Sequence, residues 1–173
     1  TLLDRLDHAG LLIGITGGKS ADTISIDHLA DDSRAVGSDG CFVAVRGVAT
    51  DGHLFIDKAV QNGAIAIVCE AVPEEAPTRF SGTAFVRVSD SRKALAEAAA
   101  ATYGDPSQAL RMIGITGTNG KTTTAFLVHH LLTVLKEKAG LIGTIETRIG
   151  EEAIDAALTT PGALELQHLL RRM

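Results

Sequence analysis

The stretch that most constrains this chain is residues 111–139, R-M-I-G-I-T-G-T-N-G-K-T-T-T-A-F-L-V-H-H-L-L-T-V-L-K-E-K-A. Residues 112–116 are apolar, with β-branched Ile113 and Ile115, and predict a buried strand. Residues 117–120 are too polar and glycine-rich to continue it. From Lys121 onward, Phe126, Leu127, His130, Leu131, Val134 and Leu135 recur at spacings of three and four, which predicts a helix face. A strand, a glycine loop and Lys-Thr at a helix start together make a phosphate-binding unit. In such a unit backbone N–H groups and the positive helix end face the anion, the Lys121 ammonium adds charge, and the Thr122 hydroxyl can ligate Mg²⁺. The strict Walker spacing fails, because Ile115 stands where its first glycine belongs. The loop that fits is the shorter Gly117-Thr118-Asn119-Gly120-Lys121-Thr122, with Thr123 next in the chain.

The chain carries its own control. Gly14-Ile15-Thr16-Gly17-Gly18-Lys19-Ser20 looks like the same motif with residues missing. Downstream of it, Ile24 and Ile26 alternate with polar residues, a period of two rather than 3.6. No helix start is predicted there to hold a phosphate, so the segment reads as a turn between strands.

With 173 residues, 45% of them apolar, the chain is globular and long enough for one domain or two small ones. A net charge of −5 without a basic stripe argues against a nucleic-acid partner. Aromatic residues are 3% with no Trp, so base stacking is not the theme. Cys41 and Cys69 each sit in an apolar run and read as core thiols of a reducing compartment. No signal peptide or 18-residue apolar span is evident, which predicts a soluble protein without a membrane partner.

The remaining chain alternates strand and helix signals. Helices are predicted at 1–9, 53–61, 92–103 and 164–173, and strands at 11–15, 23–26, 41–45, 64–69, 83–88 and 141–149. Asn62-Gly63 stops the second helix, and Ser89 or Asp90 caps the third. The pattern predicts an α/β fold: a small N-terminal α/β domain over residues 1–88, then the start of a P-loop domain with a mainly parallel sheet over 89–173, the junction lying near 88–107. The sequence stops inside a helical stretch without a cap, which reads as a truncated piece of a longer protein.

Seven short motifs, taken in order, resemble the Mur ligases, ATP-dependent enzymes that build the peptidoglycan stem peptide. They are D-S-R at 32–34, F-V-A-V-R-G at 42–47, T-D-G-H at 50–53, N-G-A at 62–64, G-I-T-G-T-N-G-K-T-T-T at 114–124, G-T-I-E-T-R-I-G at 143–150 and T-T-P at 159–161. Within the family, the G-T-I-x-x-R-I-G and T-T-P pair is most similar to the member that adds the third stem-peptide residue. The member that adds D-Ala-D-Ala shares D-S-R, D-G-H and the loop, but its Asn-rich continuation is missing here. Glu146 stands where relatives carry a small residue.

The resemblance implies a bacterial, cytoplasmic ligase, monomeric when whole, that uses ATP and Mg²⁺. It would join UDP-MurNAc-L-Ala-D-Glu to a diamino acid, diaminopimelate or lysine, through an acyl phosphate. Gly117, Thr118, Asn119, Gly120, Lys121, Thr122 and Thr123 would cradle ATP, with Lys121 on the β/γ-phosphates and Thr122 on Mg²⁺. Asp31, Ser33, Val48, Ala49 and Thr50 would meet the uridine end of the substrate, and Thr159 and Thr160 the muramoyl peptide. D-S-R is also readable as an Asx turn, and Thr159-Thr160 as a cap for the helix after Pro161. His53 reads as a structural loop residue, and His129 and His130 receive no role. A non-catalytic nucleotide-binding module is the rival from another class.

Overall fold

The computed structural model describes residues 1–18, 26, 28–47, 50–155 and 160–173. They form two compact units, Thr1–Thr102 and Tyr103–Met173.

The first unit opens with α1 (Leu2–His8), started by a capping box in which Thr1 Oγ1 accepts from the Asp4 N–H and the Asp4 carboxylate reaches back to Thr1. Strand β1 (Leu12–Thr16) precedes β2 (His28–Ala30) and β3 (Gly40–Val43). A 3₁₀ turn at Gly52–Phe55 runs into α2 (Ile56–Gln61), then come β4 (Ala64–Cys69), the single-turn α3 (Ala76–Arg79), β5 (Ala84–Val88) and α4 (Ser91–Thr102). The strands make one sheet in the order β1-β5-β4-β3-β2, parallel throughout except for β1, which runs antiparallel to β5 at one edge.

This topology explains the continuous apolar runs. A parallel strand covered on both faces has no solvent side, so β3 and most of β4 are buried without alternation. One face packs Phe42, Ile67 and Phe85 against Ile56 and Ala59 of α2 and Ala76 of α3. α4 lies against β2, β3 and β4, with Ala94, Leu95, Ala98 and Ala99 buried, and α1 packs against α4. An ion pair from Arg5 Nε to Glu97 Oε2 at 2.7 Å ties those two helices. The boundary between the units, at 102/103, falls inside the expected junction at 88–107. The alanine-rich helix belongs to the first unit rather than opening the second at residue 89, because its small buried face packs on the first sheet.

Asn62-Gly63 ends α2 as expected. Gly63 has φ +105°, and a Cβ there would sit 2.8 Å from the Gly37 carbonyl oxygen, so glycine is required on both counts. Of the control segment, Gly14, Ile15 and Thr16 end β1 and Gly17-Gly18 bend, while Lys19 and Ser20 lie outside the described residues. Most of the predicted strand at 23–26 lies outside them too.

The second unit comprises the single-turn α5 (Pro106–Ala109), α6 (Lys121–Val134), β6 (Gly140–Ile142), β7 (Glu146–Ile149), β8 (Glu152–Asp155) and α7 (Ala163–Arg172). Its three strands form an antiparallel sheet in chain order. The single strand predicted over 141–149 is thus a hairpin, turned at 143–145. The strand predicted over 112–116 is not formed: no strand among the described residues pairs with it, and Met112 and Ile113 are more than half exposed. A segment enters a ladder only by pairing with a neighbouring strand, and the sheet of this unit comprises β6, β7 and β8 alone among the described residues.

The inward side of α6 also differs from the expected face. Phe126, Val128, His129 and Leu132 are partly or fully buried, whereas Leu127, Leu131, Val134 and Leu135 are exposed. Its apolar residues are spread over more than one side of the helix, so spacing alone does not choose which stripe turns inward.

Candidate nucleotide and substrate site

α6 begins at Lys121 with Gly120 as its N-cap in the left-handed region, φ +78°, which a glycine adopts without strain. Gly120 brings no side chain, and no side chain caps this helix start. The first-turn N–H groups of a 14-residue helix therefore remain available at its positive end. The Lys121 ammonium donates to the Gly117 and Thr118 carbonyls, which holds its charge on the loop. Thr118, Asn119, Gly120, Lys121 and Thr123 are exposed, and Thr122 is half-buried. Exposed N–H donors, a helix end and a tethered cation are the features that an anion site requires, although no paired strand leads into this loop.

Thr122 Oγ1 lies 3.1 Å from Thr144 Oγ1, in the turn between β6 and β7. Thr144 belongs to G-T-I-E-T-R-I-G, a motif to which the sequence alone assigns no task. That membership is its one signal in the sequence, and only the hairpin turn brings it to the loop. Glu146, the other unexplained residue, accepts from Arg148 Nε on the same strand, and the Arg148 guanidinium lies 5.4 Å from the Phe126 ring centre.

In the first unit, D-S-R is an Asx turn. Asp32 Oδ1 accepts from the Arg34 N–H at 2.9 Å, and the Arg34 guanidinium grips the same carboxylate. Those hydrogen bonds lower the Asp32 carboxyl to about 2. Ser33 is buried, and its carbonyl accepts from Asn62 Nδ2 at 2.7 Å, which fastens this loop to the end of α2. Asp31 is exposed beside it. The turn is thus present, and it leaves the Ser33 side chain free of any part in making it.

Thr50 is exposed, and its carbonyl accepts from the Gly47 N–H at 3.0 Å; Val48 and Ala49 lie outside the described residues. Thr160 is exposed, and Thr159 lies outside the described residues. No side chain caps α7, whose N-cap is Gly162, so Thr160 does not cap that helix.

His53 is structural, as expected. Its Nε2 accepts from the Glu70 N–H at 3.0 Å, so Nδ1 carries the proton and donates to Asp51 Oδ1 at 2.6 Å. Around it, Arg46 pairs with Glu70 at 3.4 Å, and Glu70 accepts from Ser91 N–H and Oγ at the start of α4. The Ser91 bonds lower the Glu70 carboxyl, and the His53 bonds lower Asp51. Burial pushes the Cys41 and Cys69 thiols up to about 12, so neither is a nucleophile. Among the described residues no group of three or more His, Cys, Asp or Glu could hold a metal, and no helix is long and apolar enough to cross a membrane.

Comparison with known proteins places both units in one family. A model described as the Mur ligase family, catalytic domain, matches residues 25–103, and one described as the Mur ligase middle domain matches residues 115–173. A UDP-N-acetylmuramoyl-L-alanyl-D-glutamate–2,6-diaminopimelate ligase of Clostridium acetobutylicum is 47% identical over 150 residues, 87% of this chain and 30% of that protein. The ligase of that name from Parabacteroides distasonis is 44% identical over 153 residues, 88% of this chain and 31% of its own. The chain thus spans less than a third of the length of these relatives. Among solved structures, MurF from Acinetobacter baumannii is similar over the whole chain with a TM-score of 0.56, covering 33% of that protein at 23% identity, a likeness of fold. With two models of one family matching one unit each, and relatives above 40% identity along most of its length, the chain belongs to the Mur ligase family.

Proposed function

We propose that this chain is the nucleotide- and substrate-binding part of an ATP-dependent ligase. The enzyme would join the D-Glu side-chain carboxylate of UDP-MurNAc-L-Ala-D-Glu to an amine of 2,6-diaminopimelate, in peptidoglycan synthesis in the bacterial cytoplasm. The first unit takes the UDP end of the substrate and the second takes ATP. The observation that carries the reading is the glycine loop at the uncapped start of α6, with Lys121 held over it. The names of the relatives support the substrates and favour diaminopimelate over lysine.

A free carboxylate resists amide formation because its oxygen is a poor leaving group. In the proposed sequence a carboxylate oxygen attacks the γ-phosphorus of ATP, the bond to the β–γ bridging oxygen breaks, and ADP leaves. The amine nitrogen then attacks the carbonyl carbon, the C–O bond to phosphate breaks, and the nitrogen gives up a proton. Residues of the loop do this work by positioning and by neutralising charge. Backbone N–H groups of residues 117–123 hold the phosphates, and Lys121 turns from the loop carbonyls to the β/γ-phosphates.

The donor set fits Mg²⁺. Thr122, half-buried in the first turn of α6, offers a hard oxygen, and Mg²⁺ at nucleotide sites takes most of its other ligands from phosphate and water. When bound, Mg²⁺ would withdraw charge from the β/γ-phosphates.

Hydroxylamine traps acyl phosphates as hydroxamates, so it tests the reading directly. The full-length protein carrying this chain should form a hydroxamate from ATP, Mg²⁺ and the UDP-dipeptide without any amino acid. Lys121→Ala should weaken ATP binding roughly ten- to hundredfold, as expected for a lost hydrogen bond to a charged group. Hydroxamate formation undiminished in that variant would remove the loop from the mechanism.

A further inference from the structure

We propose that Thr144 is a positioning residue for the cation at the nucleotide site: its Oγ1 accepts a hydrogen bond from the Thr122 hydroxyl, so that the Thr122 oxygen presents a lone pair to Mg²⁺. The inference rests on the reading of residues 117–123 as a nucleotide site. A threonine hydroxyl has one proton and two lone pairs. When the oxygen ligates a cation, the proton must point away from the metal, and an acceptor on the far side fixes that orientation. Partners of this kind set ligand direction and basicity at metal sites generally.

In this structure Thr122 Oγ1 has such a partner, Thr144 Oγ1 at 3.1 Å. The arrangement does not come from neighbouring residues. Thr144 sits 22 positions along the chain, in the turn between β6 and β7, and reaches the first turn of α6 only because the chain returns there after that helix. The turn is itself held, since the Gly143 N–H donates to the Glu146 carbonyl at 3.2 Å. Thr144 is exposed, so no packing demand calls for a hydroxyl at this place. Orienting Thr122 gives the motif's threonine a task.

The experiment compares Thr144→Val, which keeps the shape and removes the hydroxyl, with Thr144→Ser, which restores it. Equilibrium binding of a fluorescent ATP analogue to the full-length protein is measured across a Mg²⁺ titration and again in EDTA. Thr144→Val should raise the Mg²⁺ concentration needed for half-maximal tightening about tenfold, within the range of lost outer-sphere partners. Its affinity in EDTA should match the wild type, and Thr144→Ser should behave as wild type throughout. An unchanged Mg²⁺ midpoint in Thr144→Val would overturn the proposal, and so would an equal loss of affinity with and without Mg²⁺, which would mark a structural role. Failure of the wild type itself to bind the nucleotide would overturn the site reading as well, which separates the two conclusions.

Discussion

Ser33 and Glu70 show how single residues divide between a proposed substrate contact and support of the fold. The Asx turn at Asp32 uses the Asp32 carboxylate, and Asn62 holds the Ser33 carbonyl, so the fold needs the Ser33 backbone more than its hydroxyl. Ser33→Ala should therefore raise the KM for the UDP-substrate several-fold in the full-length enzyme and leave the KM for ATP alone. Steady-state kinetics with each ligand varied decides this, and an equal rise in both would mean that Ser33 acts through folding.

Glu70 makes the opposite case. Its carboxylate accepts two bonds from Ser91 and pairs with Arg46. Its folded pKa lies below the ordinary 4.5, and that of Asp51 below 3.8. A lowered carboxylate stabilises the fold above its unfolded value, and that contribution is lost as pH falls through the folded value. The part of the first unit's stability that Glu70 and Asp51 carry should be lost as pH falls below about 4. Glu70→Gln should flatten that acid slope and cost about 1–2 kcal/mol at pH 7, read by thermal denaturation. A variant with the wild-type acid slope would show that the network does not carry it.

At the scale of elements, α6 is the most informative. Leu127, Leu131, Val134 and Leu135 are each 58–64% exposed along it, a stripe that adds apolar surface without adding to the buried part of the unit. Replacing Leu131 and Leu135 by Gln should reduce self-association of the 173-residue chain in light scattering. It should leave the melting temperature nearly unchanged, since neither side chain fills a core position. A large drop in melting temperature would mean that the stripe is buried in solution.

The same helix marks the limit of what the sequence discloses. Its start at Lys121 is legible because glycine, lysine and threonine each have a distinct backbone or charge role. Its inward face is not, because its apolar residues are spread over more than one side of the helix. The strands of the first unit are legible for the contrary reason: β3, β4 and β5 are short β-rich runs between clear stops, apolar throughout in β3 and β4 and in β5 but for Arg87. Residues 112–116 have the same composition, yet a ladder needs a partner, and composition cannot supply one. The Thr122–Thr144 contact is invisible in the sequence for a related reason, since it depends on a hairpin turn rather than on spacing along the chain.

Across the whole molecule, the proposed function requires a substrate-holding unit and a nucleotide-holding unit to serve one reaction. The units differ in how far each closes its own core: among the described residues, nearly all buried apolar side chains belong to the first, while Pro106, Leu141, Leu169 and Leu170 are those of the second. Neither unit alone would hold both reactants, so nucleotide turnover should depend on the partner substrate. That dependence separates a ligase from a purely nucleotide-binding module. The most direct measurement is phosphate release by the full-length protein with ATP and Mg²⁺, omitting in turn the UDP-MurNAc dipeptide and the amino acid. Sustained release, with one amide formed per phosphate, is predicted only when both the dipeptide and 2,6-diaminopimelate are present. Phosphate release at the same rate without the dipeptide would contradict the proposed function.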